Sequence, residues 1–177
     1  ALFDLLATRG TGRYGLSDVS QLEHALQSAA LATERGLPDA QVIAALFHDV
    51  GHLGPAQDVD LAEQGIDDRH EQVGAEMLEP VFGSPVAEPV RLHVEAKRYL
   101  CAIQPGYASL LSADSVRSLA LQGGQMGSEE ATSFRELEHA EAAVALRWID
   151  EHAKQAGLLV PGLDAYREMA SRLAHVR

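Results

Sequence analysis

The chain has 177 residues, of which 46% are hydrophobic, with a formal net charge of −12. That length and composition suit one domain, spanning residues 1–177, with a substantial apolar core. The acidic balance excludes nucleic acid as the main partner, because phosphate backbones recruit basic surfaces. It leaves room for a small anionic substrate, since a few cations inside a pocket can reverse the local field. No apolar run has the length of a membrane span, and a single cysteine, Cys101, suits a reducing cytoplasm. Ala1 to Gly10 lacks the basic and apolar blocks of a signal peptide and opens without methionine, so a few residues are expected upstream.

Helical periodicity runs through nearly the whole chain. A short helix is expected over Leu2–Thr8, and a second from Ser20 to Arg35, stopped by Gly36. Pro38 and Asp39 start a third, Ala40 to Val50, ended by Gly51. It is apolar on nearly all sides (Val42 to Phe47), which predicts a central position. Asp67 or Asp68 caps a helix ending near Leu78, before Pro80. Ser84-Pro85 opens one that reaches about Leu100, and Ser112 caps a segment closed by Gly123-Gly124. Ser128, with Glu129 and Glu130 in its first turn, begins a long helix predicted to continue to about Gln155. Pro161-Gly162 precede a last helix, Asp164 to His175. No alternating strand pattern is present, so the expected fold class is all-α.

Most of these helices carry a histidine or aspartate beside an apolar stripe. His48-Asp49 close the most buried helix; His24 lies on the one before, His70 and His93 on the next two, and Asp150 late in the chain. Six nitrogen and oxygen donors on five helices can converge in a bundle interior. Imidazole suits iron, zinc, nickel and copper, while carboxylates suit harder ions and bridge pairs. Without a thiolate, a structural zinc site does not fit. Four His and two Asp suit two metals sharing one carboxylate, with Asp49 the natural bridge. Lys97 lies four residues after His93, Arg147 three before Asp150, and His52 four after His48. Each spacing puts a cation or donor about one helical turn from a candidate ligand, where an anion could sit. His139, His152 and His175 lie among charged residues and read as solvated.

The set His24, His48-Asp49, His70, His93, Asp150 resembles the two-metal form of the HD superfamily, most of whose members are phosphohydrolases. The surrounding segments Gln21-Leu22-Glu23-His24, Leu46–His52, His93–Leu100, Gln122-Gly123-Gly124 with Met126, and Arg147–Asp150 resemble a narrower group, the diiron oxygenases of organophosphonate breakdown. The similarity runs from about Tyr14 to Tyr166, and His93–Leu100 is its most discriminating part. The resemblance implies an HD-domain helical bundle with a dinuclear centre of two iron ions, Fe(II)/Fe(III), held by those six residues. Dioxygen is then the co-substrate, and the reaction cleaves the carbon–phosphorus bond of a hydroxylated amino-phosphonate. Lys97, Arg147, His52, Ser112 and Gln122 are the residues expected around the phosphonate, and Tyr14 the one expected to gate the open metal position.

One position separates two substrates. Where the family's primary-amine enzymes carry a glutamate three residues after the tyrosine, this chain has Ser17, followed by Asp18. A quaternary ammonium cannot donate hydrogen bonds and needs room and diffuse negative charge. The expected substrate is therefore 1-hydroxy-2-(trimethylammonio)ethylphosphonate, giving glycine betaine and phosphate, with Asp18 facing the cation. The alternatives are the same reaction on 2-amino-1-hydroxyethylphosphonate, giving glycine, or metal-dependent hydrolysis of a phosphate ester.

Overall fold

The computed structural model describes residues 1–12, 17–54 and 67–175. Among these residues the chain forms ten α-helices and no strand. They are α1 (Leu2–Arg9), α2 (Gln21–Glu34), α3 (Asp39–Phe47), α4 (His70–Phe82) and α5 (Ser84–Ile103), then α6 (Tyr107–Leu110), α7 (Ala113–Leu121), α8 (Ser128–Arg135), α9 (Ala140–His152) and α10 (Asp164–Leu173). The all-α class read from the sequence is the class observed.

The all-round apolar helix occupies the centre. Val42 through Phe47 on α3 are all buried, and α3 packs against α2, α5, α9 and α10. Phe47 meets Phe3 edge-on at 5.3 Å between centroids and stacks on Phe82 at 6.2 Å. The entry to α2 is fixed by reciprocal bonds: Glu23 N–H donates to Ser20 Oγ at 3.1 Å, and Ser20 N–H donates to Glu23 Oε2 at 2.7 Å. This sets the phase that turns His24 inward.

Four boundaries differ from expectation. First, α3 ends at Phe47 rather than Val50, and Val50–Leu53 tighten into a 3-10 turn. That turn lies flat on the start of α4, where a Cβ on Gly51 would sit 2.0 Å from the His70 carbonyl oxygen. Only glycine permits this approach, which brings Asp49 and His70 together. Second, α4 continues through Pro80 to Phe82, where Gly83 (φ 72°) ends it. A proline in the last turn removes one backbone bond without stopping the helix. Third, α4 starts directly at His70 behind a left-handed Arg69 (φ 50°), so Asp67 and Asp68 act from outside the helix: Asp68 Oδ1 accepts the His70 N–H at 3.2 Å.

Fourth, the long helix expected from Ser128 is two, α8 and α9, broken at residues 136–139. No residue there is a helix breaker. In one continuous helix Phe134 and Ala143, nine residues apart, would face about 180° away from each other. The break resets the phase, so both enter one small apolar cluster with Ala96, Met126, Ala131 and Ala140 against α5. The short α6 carries no periodic signal long enough to read.

Candidate metal centre

Five helices deliver six side chains to one buried point. His24 comes from α2, His48 and Asp49 from the end of α3, His70 from the first residue of α4, His93 from α5 and Asp150 from α9, and all are buried. They form two groups that share one residue, His24/His48/Asp49/Asp150 and Asp49/His70/His93. Asp49 lies between the groups with one oxygen facing each. Its Oδ2 is 3.6 Å from His24 Nε2 and 3.4 Å from His48 Nε2. Its Oδ1 is 3.5 Å from His70 Nε2 and 3.8 Å from His93 Nε2. Asp150 Oδ1 completes the first group, 3.2 Å from His24 Nε2 and 3.7 Å from His48 Nε2.

The imidazoles are fixed from behind. The Nδ1–H groups donate to the carbonyls of Ala153 (His24, 2.8 Å), Ala45 (His48, 2.8 Å) and Val90 (His93, 2.7 Å), and to Asp68 Oδ1 (His70, 2.9 Å). With Nδ1 held by an acceptor, each Nε2 points inward, the arrangement metal-ligating histidines adopt, and a metal bound there would displace any Nε2 proton. Gln27 and Gln155 brace the same corner: Gln27 Nε2 donates to the Gln155 carbonyl at 2.7 Å, and Gln155 N–H returns a bond to Gln27 Oε1 at 3.0 Å. The brace holds α2 against the end of α9.

The set fits a pair of metal ions. Among the described residues, Asp49 Oδ2 is a buried oxygen without a hydrogen-bond donor, and Asp150 Oδ1 has only the Lys154 ammonium at 3.4 Å, a costly state for two buried carboxylates unless a metal cation takes them. Within each group the Nε2 atoms stand 3.1 Å (His24/His48) and 3.2 Å (His70/His93) apart. Bonds of about 2.1 Å to a shared ion require ligand spacings of about 3 Å. Charge follows the same division. Although burial opposes it, the neighbouring imidazoles hold the Asp49 carboxyl far below the usual range, and Arg147 and Lys154 do the same for Asp150. Burial and the nearby imidazoles push His93 down to about 3. His70 is pushed up to about 9 against its burial, because Asp68 and Asp49 stabilise its cation.

Around this centre lies a layer of cations. Lys97 is buried on α5, one turn past His93, and its Nζ donates to Ser118 Oγ at 2.8 Å. Burial and the Arg147 charge push its pKa down to about 8. Arg147 spreads its guanidinium over four protein partners. Nε donates to Tyr107 Oη at 3.1 Å and Nη2 to Ser115 Oγ at 3.0 Å, and both Asp150 and Glu151 make close ion pairs with it. Lys154 reaches Asp150 Oδ1 at 3.4 Å. Arg147, expected at the phosphonate, is thus engaged in orienting Asp150 and Glu151. Arg147→Lys is expected to cost about 2 kcal/mol, since one ammonium cannot make the four bonds of the fork. Chemical denaturation checks this; a midpoint matching wild type removes the orienting role.

The remaining expected site residues fall as follows. His52 is half-buried in the 3-10 turn, its Nε2 4.0 Å from Asp49 Oδ1. Ser112 caps α7, accepting from the Ser115 N–H at 3.3 Å, while its own N–H donates to Glu151 Oε1 at 2.6 Å; Lys154 stands between it and Asp150. Gln122 ends α7, with a buried Oε1 that has no donor among the described residues. Asp18 is exposed just ahead of α2. Tyr14 lies outside the described residues. The structure adds residues the sequence reading did not assign to the site: Asp68, Tyr107, Ser115, Ser118 and Glu151. Glu151 had a signal, four residues after Arg147 on one face. Tyr107 had none.

No described helix is long and apolar enough to cross a membrane. The HD-domain family profile matches residues 21–130. The chain is similar to hydroxymethylphosphonate dioxygenase of Gimesia maris, with 45% identity over 99% of this chain and 88% of that protein. It is also similar to the glycine-betaine-forming [1-hydroxy-2-(trimethylamino)ethyl]phosphonate dioxygenase of Leisingera caerulea, 38% identical over 93% of this chain and 84% of that one. The buried His/Asp core and these alignments agree: the chain belongs to the HD-domain family.

Proposed function

We propose that this protein is a metal-dependent dioxygenase that cleaves the carbon–phosphorus bond of a small 1-hydroxyphosphonate, with hydroxymethylphosphonate as its substrate. The observation that carries the reading is the two-lobed His/Asp cluster sharing Asp49, with the buried ammonium of Lys97 one turn from a ligand. It lies in a chain that aligns over almost its full length with relatives named for this reaction. A carbon–phosphorus bond without an adjacent electron sink has no easy hydrolytic exit, so oxidation at C1 is the reasonable route. A redox-active pair, which we propose to be two irons, would supply dioxygen activation. The balance is simple: hydroxymethylphosphonate dianion plus dioxygen gives formate, hydrogen phosphate and one proton.

Two features favour the hydroxymethyl substrate over the trimethylammonio one expected from Ser17. The centre is flanked by the buried Lys97 ammonium, bonded to the Ser118 hydroxyl, while Arg147 and Lys154 are paired with Asp150 and Glu151; this leaves a net positive charge that attracts a phosphonate and repels a second cation. The described aromatic rings are also committed elsewhere. Phe3, Phe47, Phe82 and Tyr166 belong to the main core, and Tyr99 and Phe134 pair with each other. Trp148 stacks on His152 beneath Arg35, and Tyr107 is bound to Arg147. The trimethylammonio reading keeps the support of the Leisingera relative and of an acidic Asp18 near the entrance to α2. In the proposed roles Lys97 and His52 hold the phosphonate, Arg147 orients Asp150, and Tyr14 covers the open side.

The test is phosphate release by iron-loaded protein given each phosphonate, with and without dioxygen. One phosphate and one formate per dioxygen consumed is the expected result with hydroxymethylphosphonate. Faster release from the trimethylammonio compound reverses the substrate choice. Release that persists without dioxygen, or release from phosphate esters alone, makes the protein a hydrolase.

A further inference from the structure

A third cluster, His52, Asp68 and His70, adjoins the centre. Asp68 Oδ2 lies 2.7 Å from His52 Nδ1, while Asp68 Oδ1 accepts from His70 Nδ1 at 2.9 Å and from the His70 backbone N–H at 3.2 Å. The two imidazoles stack, with centroids 4.0 Å apart and planes at 17°. Arg69, between Asp68 and His70, is the one non-glycine residue with positive φ among the described residues, at 50°. A left-handed arginine costs about 1–2 kcal/mol. Here that conformation belongs to the bend from which Asp68 and His70 both turn inward.

From this geometry we propose that Asp68 is a positioning residue that presents two imidazoles to the site at once. It holds His70 with its Nε2 lone pair towards the metal, and His52, as the imidazolium paired with the Asp68 carboxylate, with its Nε2–H towards the anionic end of the substrate. The proposal rests on the phosphonate reading above. A carboxylate suits the task because it has two acceptor oxygens and no donor, so each Nδ1–H finds its own oxygen. Both rings then expose the Nε2 edge. One side chain thereby couples a metal ligand to a residue that is not a ligand, and the ring stack keeps the two in register.

The isosteric change Asp68→Asn separates the two halves. Its single carbonyl oxygen is retained on the His70 side, where two N–H groups converge. Its NH2 then meets His52 Nδ1–H, donor against donor, so His52 must turn or give up that proton. The expected result is a KM for hydroxymethylphosphonate raised about tenfold, with kcat within about twofold and metal content unchanged. In a His52→Ala background the same substitution should add nothing to KM, since coupled residues are non-additive. Asp68→Ala releases both rings and should also speed metal loss to a chelator.

A second readout does not depend on turnover. In zinc-loaded protein labelled with 15N-histidine, the wild type should show a hydrogen-bonded Nδ1–H on both His52 and His70. Asp68→Asn should lose that of His52 and keep that of His70, with the His24, His48 and His93 signals reporting that the fold is intact. A wild-type spectrum without the His52 signal overturns the proposal. So does an Asp68→Asn protein with wild-type KM and spectrum, an effect undiminished by His52→Ala, or a third metal ion per chain that vanishes with Asp68. If no phosphonate is turned over by the wild type, the phosphonate reading fails by itself, and the zinc-loaded spectra still decide what Asp68 does.

Discussion

Asp49→Asn is expected to strip the centre of its ions and to lower turnover on the order of 1,000-fold, about 4 kcal/mol of barrier. The substitution changes neither size nor shape. It replaces one of two oxygens by an NH2 group, and each of the two oxygens faces a different pair of imidazoles, Oδ2 towards His24 and His48 and Oδ1 towards His70 and His93. An amide nitrogen donates hydrogen bonds and does not bind a cation, so one lobe loses its shared ligand whichever way the amide turns. Metal content should fall from two ions per chain to one or none. Stability should fall in both states. In the metal-loaded protein, lost binding energy lowers the melting temperature. In the metal-free protein the neighbouring imidazoles hold the Asp49 carboxyl far below its usual range, so the fold stabilises the anion and its loss lowers the melting temperature as well. Elemental analysis and thermal melts with and without chelator check both halves. Two ions per chain with wild-type turnover would rule out Asp49 as the bridge.

How much of this centre was legible in the sequence depends on how each residue acts. His48-Asp49, at the end of a helix apolar on every side, is a weak signal alone, since a helix-end histidine commonly packs or caps; its weight came from the companions on the neighbouring helices. His24, His70 and His93 followed as donors beside apolar stripes on the neighbouring helices. Spacing was a weaker guide to the cations. It correctly put Arg147 and Asp150 on one face, but shared position permits either an open cation beside a ligand or an ion pair with it, and the structure has the ion pair. Asp68 reads locally as a cap, because its function is to tie together His52 and His70 across a turn, a relation no helical period encodes. Tyr107 reaches Arg147 from forty positions away. The α8/α9 break was hidden for a related reason: residues 136–139 are individually good helix formers, and only the need to bury both Phe134 and Ala143 against α5 forces the chain to restart.

Lys97→Met is expected to raise the KM for the phosphonate about 100-fold and to leave metal content and kcat close to wild type. Methionine keeps the apolar stem of the buried lysine, so packing on α5 is largely retained. What is lost is one charge-assisted hydrogen bond to an anion, worth about 1.5–3 kcal/mol, or roughly 10- to 100-fold in affinity. The buried setting puts the effect at the upper end of that range. The pH dependence separates this role from a packing role. Burial and the charge of Arg147 push the Lys97 pKa down to about 8, so the free protein carries the ammonium below that pH and loses it above. Wild-type kcat/KM should therefore fall as pH rises through about 8, and the methionine variant should lack that limb. A bound phosphonate dianion favours the ammonium, so the corresponding limb in kcat should lie at higher pH. Stability runs the other way. The folded pKa lies below the ordinary value of 10.5, so between about 8 and 10.5 the unfolded chain binds more protons and the wild type gains stability as pH rises. At pH 7 the buried charge is a cost, and the methionine variant should be at least as stable as wild type. A variant with unchanged KM that keeps the alkaline limb would move the phosphonate away from Lys97, while a variant that binds weakly only because it has unfolded would betray itself by a lowered melting temperature at pH 7.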